Sequence, residues 1–232
     1  MKVTNTQDYK LRGVKCLTYG EAGVGKTTLC STAPAPIILS AESGLLSLAD
    51  HDIDVIEIEA LKDLAEAYVW CSESEEAEKY QTICVDSLSD ISEKILGEKL
   101  GKFKDPRQAY GEMATEMAKA VRKFRDLHGR HVYFSAKVKR VTDDATGITN
   151  FMPSVPGQVL LQDLPFFFDE VFAMQYKKVE KKMTRYLQTE GDLRFVAKDR
   201  SGKLNPAEKP NLTTIFDKIM KGTKNGATSE QS

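Results

Sequence analysis

The 232-residue sequence contains no apolar run that approaches the roughly 20 residues of a membrane-spanning helix. Its first residues also lack the apolar stretch of a secretory signal, so we expect a protein that stays in the cytoplasm and has no membrane partner. Only four cysteines and three histidines are present, and no CxxC pair occurs. Because each cysteine lies in or beside an apolar stretch, we expect buried free thiols rather than a disulfide framework or a zinc site.

An excess of one charge is also missing, since 33 basic side chains stand against 34 acidic ones and the formal net charge is −1. This balance excludes a globally basic nucleic-acid coat. It conceals an asymmetry, because acidic residues outnumber basic ones over residues 1–129 and the reverse holds over residues 130–210. The length suits one α/β domain. We expect an N-terminal extension over residues 1–13, a core over residues 14–220 and a disordered tail over residues 221–232.

Short β-rich segments alternate with helical patterns along much of the chain. Strands are predicted at Val14–Tyr19, Ile37–Ser40, Ile53–Ile58, Thr82–Asp86 and His131–Val138, and helices after Lys26 and over residues 61–69 and 106–128. This alternation predicts a mainly parallel sheet covered by helices. Residues 142–165, rich in proline and glycine, are predicted to form a long irregular loop. Further strands are predicted at Asp169–Tyr176, Thr184–Thr189 and Leu193–Ala197, with the last two joined in a hairpin by residues 190–192.

A glycine-rich segment follows the first predicted strand. Its residues, Gly20, Glu21, Ala22, Gly23, Val24, Gly25, Lys26 and Thr27, match the pattern G-x-x-x-x-G-K-[ST] without a gap. Glycines allow a backbone to curl around a phosphate with its N–H groups pointing inward. In such a loop Lys26 reaches the β- and γ-phosphates and the Thr27 hydroxyl ligates Mg²⁺. The segment, extended to Thr28, therefore predicts a site for a nucleoside triphosphate and Mg²⁺.

Two acidic residues end the predicted strands that follow this segment. Asp86 closes the apolar strand TICVD and is the candidate second ligand of Mg²⁺. Glu42 follows the strand that comes directly after the glycine-rich segment and its helix. Since the carboxyl ends of parallel strands share one edge of a sheet, Glu42 is the candidate that orients or deprotonates an attacking water.

The order of Gly20–Thr28, PIILSAESGL with Glu42, and TICVDS with Asp86 resembles the RecA-like ATPase core. This resemblance implies an α/β, RecA-like P-loop NTPase fold, with a mainly parallel central sheet flanked by helices and a C-terminal antiparallel hairpin extension. It also implies ATP as the nucleotide and Glu42 as the residue that polarises water. The segment LRFVAKDRSGKLNP is similar to the late strand whose basic residues reach the ATP of the next subunit, so Lys198 and Arg200 are implied to act in trans.

The compact size and the closing AKDRSGKL segment resemble the phage-encoded Sak single-strand annealing group. That resemblance implies a DNA-stimulated ATPase in the host cytoplasm that binds single-stranded DNA, assembles into a ring or filament and promotes annealing or recombination. A single-strand DNA-binding protein is a further candidate partner. The glutamine that couples DNA to ATP in RecA has no clear equivalent, and Ser135 and Lys137 occupy its neighbourhood. Candidate DNA-binding residues, chosen for charge or for base stacking, are Lys137, Lys139, Arg140, Phe151, Lys177 and Lys178.

Two other classes of function stay open from the sequence. A non-catalytic nucleotide-dependent switch or DNA-processing adaptor would bind ATP and hydrolyse it negligibly, and the presence of Glu42 argues against it. A GTPase or small-molecule kinase is the other alternative. The guanine-reading sequence N-K-x-D is absent, and a kinase would need a lid with phosphate-binding arginines, which the long loop could contain.

Overall fold

A computed structural model describes Asn5 and residues 12–221, except residues 43 and 145 and the side chains of residues 158 and 159. Almost all of the predicted extension (1–13) and of the predicted tail (221–232) lies outside the described residues. No helix within the described part of the chain is long and apolar enough to cross a membrane.

The described strands form one ten-stranded sheet. They are β1 (Lys15–Gly20), β2 (Pro36–Ser40), β3 (Val55–Glu57), β4 (Thr82–Asp86), β5 (His131–Thr142), β6 (Thr149–Ser154), β7 (Glu170–Val179), β8 (Lys182–Gln188), β9 (Lys198–Asp199) and β10 (Ala207–Glu208). The order is β10-β8-β7-β1-β5-β4-β2-β3, with β6 paired to β5 and β9 paired to β7. The strands from β7 to β3 in this order are parallel, whereas β6, β8, β9 and β10 pair antiparallel.

Helices cover both faces of the sheet. They are α1 (Lys26–Cys30), α2 (Leu61–Glu73), α3 (Leu88–Leu100), α4 (Pro106–Arg125), α5 (Gln158–Asp163) and α6 (Leu212–Lys221), with 3-10 turns at Leu45–Leu48, Glu75–Lys79 and Leu164–Phe167. One core packs α2, α3 and α4 against the sheet, and a second core packs α1 and α6 against the opposite face. Alternate strand residues enter each core, as the period of two in a pleated strand requires.

This architecture is the predicted one, a mainly parallel sheet between helices with antiparallel strands added by the C-terminal part of the chain. All four cysteines are free and buried in these cores, as expected from their apolar surroundings. Each predicted strand before residue 140 is present, although β3 is shorter than predicted and β5 is longer.

The predicted irregular loop over residues 142–165 is wrong. Strand β5 continues to Thr142, β6 pairs with it antiparallel, and helix α5 follows. Pro153 is tolerated because β6 lies outside the main strand order, and its only described backbone pairing away from β5 is a single bridge at Phe151, so the missing N–H of Pro153 interrupts no second ladder. Gly147, at a φ of 70°, makes the turn between the two strands.

The predicted strand Leu193–Ala197 and its hairpin are also wrong. The antiparallel hairpin is formed by β7 and β8, and its turn contains Glu180 at a φ of 55°, which is uncommon for a non-glycine residue. The carboxylate of Asp192 accepts hydrogen bonds from the backbone N–H groups of Arg194 and Phe195 at 2.7 and 2.6 Å. Because this local turn uses N–H groups that a strand would need, residues 193–197 form only a single parallel bridge, between Phe195 and Phe151, and no strand.

Candidate functional site

The glycine-rich segment connects the end of β1 to the start of α1 at the carboxyl edge of the parallel sheet. Gly23 and Gly25 have φ angles of 72° and 107°, in the left-handed region that favours glycine. These two residues reverse the chain, so the segment forms the curled loop that its sequence predicts. We refer to residues 20–28 as the P-loop.

Lys26 folds back over this loop. Its Nζ donates hydrogen bonds to the carbonyl oxygens of Gly20 and Glu21, both at 3.0 Å. Burial lowers the pKa of Lys26, while the carboxylates of Asp86 and Glu42 act in the opposite direction. The ammonium group therefore lies among the predicted site residues, where it can exchange its two carbonyl partners for phosphate oxygens.

The predicted metal ligands Thr27 and Asp86 are in direct contact. The Thr27 hydroxyl donates to Asp86 Oδ2 at 2.7 Å, and the Ser135 hydroxyl donates to Asp86 Oδ1. Asp86 is buried at the end of β4, and β5, which carries Ser135, lies between β4 and β1. A hydroxyl and a carboxylate are hard oxygen ligands of the kind that Mg²⁺ uses together with water and phosphate. Thr27 and Asp86 thus fit the predicted ion.

Glu42 lies just beyond the end of β2 and is partly buried beside the same cluster. Burial raises the pKa of Glu42 to about 7, and a hydrogen bond with Asp90 and the negative charge of Asp86 add to this shift, whereas Lys26 opposes it. Burial alone would raise the pKa of Asp90, but hydrogen bonds from Lys137, Ser87 and Glu42 lower it. Of these two carboxyl groups, Glu42 is therefore the one that binds a proton more readily.

Asp90 is a site residue that the sequence reasoning missed. It lies in the first turn of α3, four residues after Asp86, and this spacing is the only signal that could have identified it. Lys137 Nζ contacts Asp90 Oδ1 at 2.8 Å and Glu93 Oε2 at 3.0 Å. Lys137, predicted as a DNA-binding residue, thereby contacts the carboxyl pair that includes Glu42.

Lys198 and Arg200 lie far from the P-loop of their own chain. Strand β9 pairs with the first residues of β7, at the amino-terminal edge of the sheet. Lys198 Nζ donates to the carbonyl oxygens of Pro165 and Phe168 at 2.7 and 2.6 Å, and Arg200 pairs with Asp169 at 2.9 Å. The structure therefore does not bring these two cations to the P-loop within one chain.

The remaining predicted DNA-binding residues lie on two hairpins that extend beyond the carboxyl edge of the sheet. Lys139, Arg140 and Phe151 belong to β5 and β6, in which Arg140 lies opposite Phe151, and Lys177 and Lys178 belong to β7. The hairpins flank β1 and its P-loop, since β5 and β7 are the two neighbours of β1.

Three of these candidate DNA-binding residues already contact other side chains of the protein. Arg140 forms an ion pair of 2.6 Å with Glu21 of the P-loop. Phe151 stacks on Phe195 with ring centroids 4.6 Å apart, so one face of its ring is already covered. Lys177 lies 5.2 Å from the centre of the Tyr186 ring.

The sequence reasoning also missed the approach of the β7–β8 hairpin to the P-loop. The Tyr176 hydroxyl donates to the carbonyl oxygen of Gly23 at 3.1 Å, and the guanidinium of Arg185 lies beside Gly25. No local pattern marks these residues, because about 150 residues separate them from the loop that they contact.

A parallel sheet whose first strand ends in this loop, with a hydroxyl and a carboxylate converging beside it, defines a P-loop NTPase. Residues 12–201 match the family model AAA_24, described as an AAA domain. The chain therefore belongs to this AAA domain family and is an AAA-type P-loop ATPase domain, a class that binds a nucleotide and usually Mg²⁺.

The chain is similar to the crystal structure of a KaiC-like protein from the hyperthermophilic archaeon Pyrococcus horikoshii OT3, at 13% sequence identity and a TM-score of 0.42. The alignment covers 76% of this chain and 77% of that chain. No curated protein matches the sequence.

Proposed function

We propose that this chain is a Mg²⁺-dependent ATPase that binds single-stranded DNA and promotes strand annealing or recombination as an oligomer. The observation that carries the ATPase part is the convergence of Lys26, Thr27, Asp86 and Glu42 at one edge of the sheet. The preference for adenine and the annealing activity rest on the resemblance to the Sak group, which also suggests the host cytoplasm as the location and a single-strand DNA-binding protein as partner.

The residues at this edge can divide the chemistry of hydrolysis among them. Lys26 neutralises phosphate charge, and Thr27 and Asp86 hold the metal ion. Mg²⁺, when bound, supplies Lewis-acid stabilisation of the phosphate charge. Burial raises the pKa of Glu42 to about 7, and a general base is most effective when its pKa lies near the working pH. Glu42 accepts a proton from the attacking water.

DNA binding is supported by the position and charge of the two hairpins. Four cationic residues lie beyond the sheet edge, where a single strand of DNA can contact both hairpins. They are Lys139, Arg140, Lys177 and Lys178. A DNA phosphate that takes Arg140 as its partner breaks the ion pair with Glu21, which is part of the P-loop. This exchange gives DNA a direct route to influence ATP turnover.

Assembly is supported by the location of Lys198 and Arg200. Because these residues lie at the amino-terminal edge, the only P-loop that they can reach is that of another copy. A head-to-tail arrangement, in which this edge meets the carboxyl edge of a neighbour, generates a ring or a filament.

The first test measures ATP turnover with increasing single- or double-stranded DNA. We expect turnover by the parent protein, stimulation by single-stranded DNA, and loss of both ATP binding and turnover in Lys26→Ala. Lys62→Ala, which removes an exposed lysine on α2, serves as the control and retains parental turnover. Turnover in Lys26→Ala equal to that of the parent would rule out hydrolysis at this P-loop.

A second test measures affinity for single-stranded DNA against salt. Replacing Lys178 by Ala removes an exposed cation, and we expect weaker binding and a salt slope reduced by about one. Lys119→Ala, an exposed position on α4, is the control for loss of one charge. An unchanged slope in Lys178→Ala with measurable DNA binding would exclude Lys178 from the interface.

A third test mixes inactive subunits. Arg200→Ala is expected to lower turnover by about a thousandfold if the guanidinium acts in trans. Adding Lys26→Ala subunits, which retain Arg200, then restores part of the turnover. An Arg107→Ala protein, altered at a highly exposed arginine, stays active without any addition. Absence of rescue at concentrations that permit assembly would contradict the trans role.

A further inference from the structure

Strands β7 and β8 continue beyond the edge at which the P-loop begins. β1 pairs with β7 as far as Tyr19 opposite Ala173, after which β1 turns into the P-loop while β7 runs on to Val179. At about 3.3 Å per residue, this continuation extends roughly 20 Å. β8 returns antiparallel to it and places Arg185 directly opposite Tyr176. The hairpin thus lies beside the P-loop of the same chain.

Two side chains of the hairpin contact the loop. The Tyr176 hydroxyl donates to the Gly23 carbonyl oxygen at 3.1 Å. The Cζ and Nη1 atoms of Arg185 lie 3.3 Å from the position that a Cβ atom would occupy on Gly25. The Arg185 guanidinium also lies 5.8 Å from the centre of the Tyr176 ring, within the range of a cation–π contact. Tyr176, fixed to the loop, therefore holds Arg185 beside the residue that precedes Lys26.

Arg185 differs from several other arginines of the protein in its electrostatic surroundings. Arg125, Arg140 and Arg200 each form an ion pair with a carboxylate. Arg185 is exposed and has no ion-pair partner among the residues that the structure describes. A guanidinium has five N–H donors in a planar arrangement suited to phosphate oxygens. Its uncompensated charge, held against a phosphate-binding loop, has an anionic phosphate as its natural partner.

We propose that Arg185 binds a phosphate group of the nucleotide held by the P-loop of its own chain. The inference rests on the proposed function, since it takes the P-loop to hold a nucleoside triphosphate. Arg185 then provides a second cation in cis, beside Lys26 and separate from the cations at the amino-terminal edge. The hairpin contributes to nucleotide affinity in each single subunit, whether or not the chain assembles.

The test measures the dissociation constant for ATP by titration calorimetry without DNA. We expect Arg185→Ala to weaken ATP binding about tenfold or more, as is typical for loss of a charge-assisted hydrogen bond. Arg185→Lys keeps the charge and loses less affinity. Lys182→Ala removes another exposed cation from the same strand and serves as the control with parental affinity.

Each outcome decides the question. An Arg185→Ala protein that binds ATP as tightly as the parent overturns the inference, provided that Lys26→Ala has lost binding. If Lys26→Ala also binds ATP normally, the proposed function itself is wrong. Weaker binding of single-stranded DNA with unchanged ATP affinity assigns Arg185 to a DNA phosphate and overturns the inference as well. Thermal unfolding checks the fold of Arg185→Ala, and Arg185→Gln replaces it under the same criteria if it fails to fold.

Discussion

The two edges of the parallel sheet each contain a glutamate–aspartate pair in which the pKa of the glutamate is raised and that of the aspartate is lowered. At the carboxyl edge, burial and Asp90 raise the pKa of Glu42 to about 7. At the amino-terminal edge, burial and the charge of Asp199 raise the pKa of Glu170 to about 8. In both pairs the pKa of the aspartate is lowered, because hydrogen bonds outweigh the effect of its burial. The two pairs have the same electrostatic signature in opposite places.

Glu42 and Glu170 differ in their surroundings. Glu42 is partly exposed and faces Lys26 and the carboxylate of Asp86, so a substrate can reach it. Glu170 is fully buried within β7, where Oε1 accepts a hydrogen bond from the backbone N–H of Ser201 and Oε2 has no hydrogen-bond partner among the described residues. A shifted pKa alone therefore does not identify a reactive carboxyl group, and access and neighbouring charges decide the matter.

Cavity size also fails to identify the site. A cavity of about 580 Å³ lies at the amino-terminal edge, lined by residues that include Lys15, Glu170 and Arg200. The cavity beside the P-loop, bounded by Gly20 and Phe151, has only about 190 Å³. Around the larger cavity Lys15 donates to the carbonyl oxygen of Leu127 at 2.7 Å, and Arg200 pairs with Asp169. The chemistry of the P-loop edge locates the site more reliably than volume does.

The largest difference between the two glutamates is expected in turnover. Glu42→Gln removes the proposed base while keeping the shape of the side chain, so ATP turnover falls by about 10²–10⁴-fold with ATP binding retained. Glu170→Gln, the matched change at the other edge, keeps parental turnover. Steady-state hydrolysis and calorimetric binding of both variants check this pair. Unchanged turnover in Glu42→Gln would favour a nucleotide-dependent switch that does not use this residue.

The second difference concerns stability. The pKa of Glu170 is raised in the folded state, so the unfolded chain releases this proton first, and the parent loses stability as pH rises from about 4.5 to about 8. Glu170→Gln has no proton to release and is expected to gain roughly 1–3 kcal/mol over the parent at pH 8, and little at pH 5. Urea unfolding at both pH values measures the gain. A gain that does not depend on pH would contradict the protonated state of Glu170.

The smallest effect is a shift in the pH profile of turnover. Glu42 acts as a base only when ionised, so turnover of the parent falls as pH falls through the pKa of Glu42. Asp90→Asn removes a negative neighbour that favours protonation of Glu42. The fall of turnover at acidic pH, the acid limb of the pH profile, therefore moves to lower pH. Glu93→Gln, which contacts Lys137 and not Glu42, leaves the limb in place. An acid limb that moves upward in Asp90→Asn would show that another group controls it.

Much of the sheet could be predicted because its central strands are continuous apolar runs and the P-loop is a local motif. Helix α3 was missed because serines occupy buried positions. Ser89 and Ser92 donate to the carbonyl oxygens of Ser154 and Leu88, so their burial costs no unsatisfied hydroxyl. Helix α6 was also missed, although Asn211 caps it by accepting a hydrogen bond from the Thr214 N–H.

The proximity of Thr27 and Asp86 was predictable from the motif and strand order, and the structure brings both residues together. Arg185 and Asp90 were not predictable in the same way. Arg185 reaches the P-loop through strand pairing across most of the chain, and Asp90 acts on Glu42 through a contact between α3 and the end of β2. Such contacts depend on tertiary register, which no local pattern in one sequence contains.

A crystal structure with Mg²⁺ and a nonhydrolysable ATP analogue shows most directly which edge of the sheet binds the nucleotide. We predict the triphosphate within residues 20–28, the metal ion between Thr27 and Asp86, and the Glu42 carboxyl group facing the terminal phosphate. A triphosphate bound in the cavity at the amino-terminal edge, or a Glu42 side chain turned away from the nucleotide, would contradict the proposed site.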